Sequence, residues 1–290
     1  MTQTLSSAAL QRPGVALRRF LPLAPPTIVL LLFFAVPMGM MIGLSFETGS
    51  GAPTLANYGK VFGDDLILSG LFRTLALSAI VALCVTVMAY PVAYYLARSA
   101  SRWRAVVFAL AIAPELAGVV LRTYGWLIIL EDRGFINDLL LATGFATTPV
   151  PLAKNMFGVV VGLTHVILPF GILSLMTSIQ GIDTNLEKAA QVLGASRAAV
   201  LRHIVLPLSV PGIVSSLLIA FTLAASAYAT PAILGGAGFK VLATMIYEQV
   251  MTFVNWPLAA AMATVLLVLV MCVAFAGARI ESRLNARLHN

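Results

Sequence analysis

Long, uninterrupted apolar runs constrain the fold of this chain more than any other feature of its sequence. Hydrophobic residues make up 60% of the chain and charged residues 10%, whereas soluble domains carry about 25% charged residues. Crossing a bilayer takes about 20 apolar residues in a helix, and only helices or closed barrels satisfy the backbone in lipid. The runs are continuous rather than alternating, which favours helices. The sequence therefore predicts an all-α integral membrane protein with six spans: 22–46, 73–96, 105–130, 156–180, 206–235 and 258–278.

The chain is predicted to form one transmembrane domain, residues 22–278, between a mobile N-terminal tail (1–21) and a C-terminal tail (279–290). The first span is too long for the apolar core of a signal peptide and lacks a convincing cleavage site, so we expect it to be retained. Three loops have distinctive patterns: an irregular loop at 47–72, a short helix at 135–143, and an interfacial or re-entrant helix within 236–257.

The basic residues are distributed unevenly between the two sides of this topology. Twelve of the 18 Lys and Arg residues fall in the two tails and in the second and fourth loops, and four fall in the opposite loops. Because Lys and Arg accumulate in cytoplasmic loops, both termini are predicted to be cytoplasmic. The formal net charge of +7 is therefore interpreted as a topology signal and not as a surface for nucleic acid.

The longest cytoplasmic connection, residues 181–205, has the pattern of a helix, a glycine and a second helix. Thr184 or Asp183 can cap the first helix. Gly194 can end that helix in the left-handed conformation, and Ser196 can cap the next one. Such an elbow has the rigidity and the sharp return into the membrane that a mechanical coupler needs.

The elbow reads Glu187-Lys188-Ala189-Ala190, then Gly194-Ala195 and finally Ile204-Val205-Leu206-Pro207. It resembles the EAA loop of ABC-importer permeases, the segment that docks into the ATPase subunit. The usual pattern has a glutamate six residues before the glycine, where this chain has Lys188, and Glu187 lies one residue earlier. The acidic contact is thus shifted or replaced. The resemblance implies an ATPase-coupling role for these residues: Glu187, Lys188, Ala189, Ala190, Gly194, Ala195, Ile204 and Pro207.

Three further stretches, 122–126 with 134–137, 230–236 and 255–261, resemble the spermidine/putrescine group of these permeases. The resemblance implies the type I ABC importer permease fold in a bacterial inner membrane, with polyamines as substrate. It also implies a second permease chain, giving a heterodimer or a homodimer, two ATP-binding cassette subunits and a periplasmic binding protein. Importers of opines, amino-acid derivatives or anions share this architecture and remain alternatives. An ion-coupled secondary transporter is a more distant one.

The chain contains no G-x-x-x-x-G-K-[ST] sequence, so it lacks the loop that cradles ATP phosphates. We also find no catalytic constellation and no metal-ligand pattern. The expectation is a transport subunit without an ATPase site or cofactor of its own, with ATP and Mg²⁺ bound by partner subunits.

Two charged residues, Glu115 and Arg122, lie within the third predicted span. Charges in a membrane usually face an interior or a cavity. In a continuous helix they would stand about 10.5 Å apart, too far for a direct ion pair. Glu115 suits either a cationic substrate or a structural pair with Arg73, and Arg122 suits a structural or gating role or an anionic substrate.

Aromatic residues could add cation–π contacts to the substrate path. The candidates are Tyr124, Trp126 and Tyr228, for which interfacial anchoring or packing is the alternative. His165 lies mid-span, where a hydrogen-bonded core histidine is favoured over a proton relay.

Overall fold

The computed structural model describes residues 24–48 and 51–288. Within these ranges all regular secondary structure is helical apart from one isolated β-bridge between Glu47 and Pro53, which agrees with the all-α prediction. The predicted tail 1–21 lies outside the described residues. The helices are α1 (Ala24–Leu30), α2 (Val36–Ser45), α3 (Ala56–Gly63), α4 (Asp65–Arg98), α5 (Trp103–Ile112), α6 (Val119–Leu130), α7 (Phe135–Ala142), α8 (Met156–Gln180), α9 (Thr184–Val192), α10 (Arg197–Val200), α11 (Leu206–Leu208), α12 (Val210–Ala225), α13 (Ala229–Leu234), α14 (Leu242–Met251) and α15 (Trp256–Leu288).

Four of the described helical segments are long and apolar enough to cross a membrane unaided. Two more candidates are pairs of helices bent at a short break, by 100° after Leu116 and by 65° after Leu208. Counting each bent pair as one span gives six, in agreement with the prediction. The four unbent segments are Pro25–Ser45, Asp65–Arg98, Met156–Gln180 and Trp256–Arg283.

The helices of the second and sixth spans are longer than the predicted spans, because polar helical turns extend beyond the apolar runs. The second span begins at Asp65 rather than at 73, since Asp64 caps it by accepting a hydrogen bond from Leu66 N at 2.8 Å. Helix α3 occupies part of the loop 47–72 that was predicted to be irregular. Helix α15 runs past 278 to Leu288, through a segment that contains no helix-breaking Gly or Pro after Gly277.

The centre of the bundle is formed by α4, α8 and α12, which pack along one another. Small residues allow this close approach, as is typical of helix pairs in membranes. A Cβ added at Gly171 would lie 2.6 Å from Val85 Cγ1. Thr86 and Ser216 share a buried hydrogen bond of 3.0 Å between α4 and α12. The three helices therefore form a fixed frame for the broken spans around them.

The third and fifth predicted spans are interrupted, each within a few residues of a proline, Pro114 and Pro231. In the third, α5 gives way to a 3₁₀ turn, Ala113–Leu116, that contains Pro114, and α6 starts afresh at Val119. Ten residues of α5 rise about 15 Å, which is about half the thickness of a bilayer core. In the fifth span, α12 ends at Ala225 and α13 begins at Ala229. Proline removes a backbone donor and disfavours a continuous helix in such places.

Candidate coupling surface and translocation path

The predicted elbow is present. Asp183 caps α9 by accepting a hydrogen bond from Asn185 N at 2.9 Å, so of the two proposed caps Asp183 is the one used. Gly194 has φ +89°, a left-handed conformation that favours glycine, although a Cβ there would meet no atom within 4 Å. Ser196 Oγ accepts from Ala199 N at 3.2 Å and so caps α10. Backbone conformation, not crowding, therefore requires glycine at the elbow.

The Glu187 side chain points toward α4 of the same chain and not toward solvent. Its Oε1 lies 2.8 Å from Arg98 Nη2 at the end of α4, and only 11% and 15% of the two side chains are exposed. Arg98 Nη2 also donates to the Ile182 carbonyl at 3.0 Å. Neither Arg98 Nε nor Glu187 Oε1 has a well-aligned hydrogen-bond partner, so attraction of charge holds the pair. Glu187 therefore pairs within the chain, and its predicted role in ATPase coupling stays a prediction.

The remaining elbow residues divide between two faces. Ala190, Ala195 and Ile204 pack against the apolar cluster at the ends of α4 and α8. Val192 and Leu193 point outward and are each 88% exposed. Of the residues predicted to couple to the ATPase, four are exposed: Lys188, Ala189, Gly194 and Pro207.

Val192 and Leu193 were missed by the sequence analysis. Two large apolar side chains at this exposure, at the end of a polar helix, suit a surface that another protein covers. The signal was present in the sequence, because a pair of apolar residues stands directly before the helix-ending glycine. It was hidden by the general apolarity of the chain.

The break in the third span brings Glu115 and Arg122 together. Arg122 Nη1 donates to Glu115 Oε2 at 2.8 Å, so the argument that they are too far apart for a direct pair was wrong. Glu115 and Arg122 would be too far apart in a continuous helix, but the chain turns between them. Arg122 is 9% exposed at its side chain and Glu115 is 36% exposed. Arg73 is not the partner of Glu115, since its Nη1 lies 3.5 Å from the Gly238 carbonyl.

Neutral hydrogen bonds surround this pair. Trp126 Nε1 donates to His165 Nδ1 at 3.1 Å, which confirms the prediction of a hydrogen-bonded core histidine. Thr123 and Thr230 hydroxyls lie 3.2 Å apart and join α6 to α13. The two interrupted spans are thus fastened to each other close to their breaks.

At the end of the bundle opposite the elbow, Tyr228 packs against Tyr247 of α14, with ring centroids 4.6 Å apart. Tyr124 is 51% exposed on α6. Among the ring pairs in the described part of the chain, none joins Tyr124, Trp126 and Tyr228 into the predicted cage. The structure instead divides these aromatic residues between the membrane interior and this opposite end.

The fold and these sites define a multi-span membrane transport protein, with a partly exposed ion pair at a helix break and an exposed elbow between two spans. Residues 16–286 match the family model described as binding-protein-dependent transport system inner membrane component. The chain belongs to this family, and it is a multi-pass inner-membrane permease subunit of an ABC importer.

Relatives of known name share most of its length. The spermidine/putrescine transport system permease protein PotB of Salmonella typhimurium (strain SL1344) is 33% identical over 80% of this chain and 83% of its own. PotB of Escherichia coli (strain K12) is 32% identical over 80% and 86%. The inner membrane ABC transporter permease protein YdcU of E. coli is 29% identical over 75% and 72%.

Solved structures share the fold at lower identity. A chain of a bacterial ABC transporter that imports the acidic polysaccharide alginate superposes with a TM-score of 0.76 at 19% identity, over 94% of this chain and 99% of that one. A chain of the MetNI methionine ABC transporter gives 0.58 at 19% identity, over 76% and 96%. These likenesses confirm the type I ABC importer permease fold.

Proposed function

We propose that this chain forms half of the translocation pore of an ATP-driven importer of polyamines such as spermidine and putrescine. The observation that carries the proposal is the similarity, over four-fifths of the chain, to permeases named for spermidine/putrescine transport. The charge of the membrane interior agrees with a cationic substrate, because the partly exposed member of the pair at the break is the carboxylate of Glu115.

In this proposal Glu115 is the anionic station of the substrate path, half-way across the membrane. Arg122 is its counter-ion while the path is empty and acts as a gate, since an alkylammonium must compete with it for the carboxylate. Tyr124 lines the same path, with Trp126 held in place by His165. Tyr228 belongs to the opposite end of the path, and Arg73 has a structural role there.

The elbow is the proposed contact with one of two ATP-binding cassette subunits. Its outer face offers Val192 and Leu193 as the docking surface, with Lys188 beside them. Its inner face transmits movement to α4 through Arg98 and Glu187. ATP and Mg²⁺ belong to those partner subunits, and this chain has no ATPase site of its own.

A second, similar permease chain completes the pore, most simply as a heterodimer, because a homodimer would set two copies of Glu115 against each other. The lipid-facing candidate α1–α2, whose apolar stretch is exposed in this chain, also provides surface for such a partner. A periplasmic binding protein delivers the substrate at the end opposite the elbow. The elbow and both termini are cytoplasmic in this proposal, which the distribution of Lys and Arg supports.

The rival substrates find less support in the geometry. Arg122 was the main argument for an anionic substrate, and its charge is compensated by Glu115 at 2.8 Å. An opine or an amino-acid derivative would still carry an ammonium group that Glu115 can bind. An ion-coupled transporter would have no use for an exposed apolar pair on the elbow.

The test is uptake of labelled spermidine by cells with the complete importer, with the gene deleted, and with Glu115→Gln. Glu131→Gln is the matched control, because Glu131 also forms a 2.8 Å ion pair, with Lys154, but in an exposed loop. We expect the deletion to abolish uptake, Glu115→Gln to lower it at least tenfold, and Glu131→Gln to leave it unchanged. Normal uptake after deletion, in a strain without another polyamine system, would overturn the polyamine assignment.

A further inference from the structure

A pocket of about 320 Å³ lies at the end of the bundle opposite the elbow, between α13, the glycine-rich turn that follows it, and α14. Tyr228 and Tyr247 form one wall, with their rings tilted by 32°. Both side chains are substantially exposed, at 38% and 45% relative accessibility. Their free faces therefore offer a surface on which a cation can bind.

A carboxylate and an amine of the chain itself occupy the same pocket. Lys240 Nζ donates to Glu248 Oε2 at 2.8 Å, and the two side chains keep 44% and 36% of their exposure. A lysine side chain ends in a primary alkylammonium, the same chemical group as the ends of putrescine and spermidine. The pocket therefore already holds the functional group of the proposed substrate beside two aromatic rings.

The walls of this pocket are firmly built. Thr244 Oγ1 accepts from Val241 N at 3.1 Å at the start of α14, and Leu242 N donates to Thr74 Oγ1 of α4 at 2.8 Å. Leu242 and Thr74 are both buried. Lys240 reaches the carboxylate through a flexible side chain from the turn. The helix that carries Glu248 is thus anchored at its start, while Lys240 can swing away from the carboxylate.

The ion pair also separates two cavities. A second cavity of about 490 Å³ lies next to the first and shares Lys240 and Glu248 with it, and Asp64 and Arg73 lie on its far side. Movement of Lys240 off the carboxylate would join the two spaces. The joined groove would be lined by two carboxylates, because Asp64 supplies a second one beside Glu248.

We propose that Tyr228, Tyr247 and Glu248 form a receiving site for a primary alkylammonium, and that Lys240 occupies this site until a substrate displaces it. The site would take the substrate from the binding protein before it reaches Glu115. This inference rests on the proposed function. Exposed ion pairs are weak, so exchange of one ammonium for another needs little driving force. A polyamine gains from the exchange because its other ammonium groups remain free to bind in the second cavity.

The direction in which variants of Lys240 and Glu248 change the apparent KM tests the proposal. A purely structural pair is broken equally by Lys240→Gln and by Glu248→Gln, so both changes would act in the same direction. In a receiving site they act in opposite directions, because the first removes a competitor and the second removes the ligand of the substrate. We expect Lys240→Gln to lower the apparent KM for spermidine about threefold and Glu248→Gln to raise it about tenfold.

The measurement is initial uptake of labelled spermidine and putrescine over a range of concentrations, with the complete importer and its binding protein. Lys154→Gln is the control, since Lys154 pairs with Glu131 at 2.8 Å in another exposed loop, and it should leave KM unchanged. Tyr247→Leu should raise KM, whereas Tyr247→Phe should keep it near the original value because the ring face is retained.

The possible outcomes separate this inference from the proposed function. Opposite shifts of KM, with similar amounts of protein in the membrane, would establish the receiving site. Shifts in the same direction, or no shift, would overturn it while wild-type uptake of spermidine still supported a polyamine importer. Absence of spermidine uptake by the wild-type importer would overturn the proposed function and this inference with it.

Discussion

The contact between Arg98 and Glu187 should determine how well ATP turnover is coupled to transport. It joins the elbow to the end of α4, the 34-residue helix at the centre of the bundle. Replacing either residue by alanine leaves its partner with an uncompensated and largely buried charge. We therefore expect Arg98→Ala and Glu187→Ala to loosen the elbow while the bundle still inserts into the membrane.

The magnitude follows from the geometry. Breaking a buried ion pair by removing one partner costs about 3–5 kcal/mol. Here both side chains keep some exposure and the hydrogen bond is poorly aligned, so we take a value below that range, about 2 kcal/mol. This corresponds to a shift of roughly 30-fold in the equilibrium between docked and loosened elbow. Arg98→Ala should cost more than Glu187→Ala, because it also removes the hydrogen bond to the Ile182 carbonyl.

The assay is ATP hydrolysis by the reconstituted importer, with and without substrate-loaded binding protein, together with uptake. Stimulation by the loaded binding protein should fall at least tenfold in each single variant, while basal hydrolysis persists. The exchange Arg98→Glu with Glu187→Arg should recover much of the stimulation. If the exchanged variant loses as much stimulation as the losses of the two single variants added together, the pair does not couple the elbow to α4. That result would refute the reasoning.

Three further predictions concern glycines and a cap. Gly194→Ala should reduce uptake, because it strains a left-handed residue of the elbow by about 1 kcal/mol. Gly144→Ala is the control and should leave uptake unchanged, since Gly144 has φ +74° in equally open space but lies outside the elbow. Equal losses of uptake would show that strain anywhere, and not strain in the elbow, causes the effect. Ser196→Ala should remove the cap of α10 at a cost of about 1 kcal/mol, seen as a lower melting temperature of the purified complex, and an unchanged value would contradict this. Gly171→Leu should reduce the amount of protein in the membrane through overpacking, while Gly39→Leu, with no atom near its Cβ position, should be tolerated; similar amounts for both variants would contradict the packing argument.

Membrane insertion and the elbow could be predicted from the sequence because both depend on local physical chemistry. An apolar run of about 20 residues is sufficient to favour a span, whatever surrounds it. The cap at Ser196 and the left-handed Gly194 depend on residues within a few positions of each other. Such local structures depend only on neighbouring residues, so the sequence is enough to predict them.

The pairing of charges could not be predicted, because it depends on where helices break and which faces meet. Glu115 and Arg122 contact each other only because the third span turns through 100° between its two helices. The sequence places Glu187 on the elbow, but only the approach of α4 decides that it pairs with Arg98 instead of facing outward.

The sequence by itself thus determined that this protein is a helical membrane permease, roughly where its spans lie, and where the elbow between two of them is formed. The tertiary structure alone decided which side of that loop is free, which charges neutralise each other, and that Lys240 lies on Glu248 beside two tyrosines. The physical reason is that hydrophobicity and capping act over a few residues along the chain. Ion pairs and pockets depend on distances in space between residues that can be far apart in sequence.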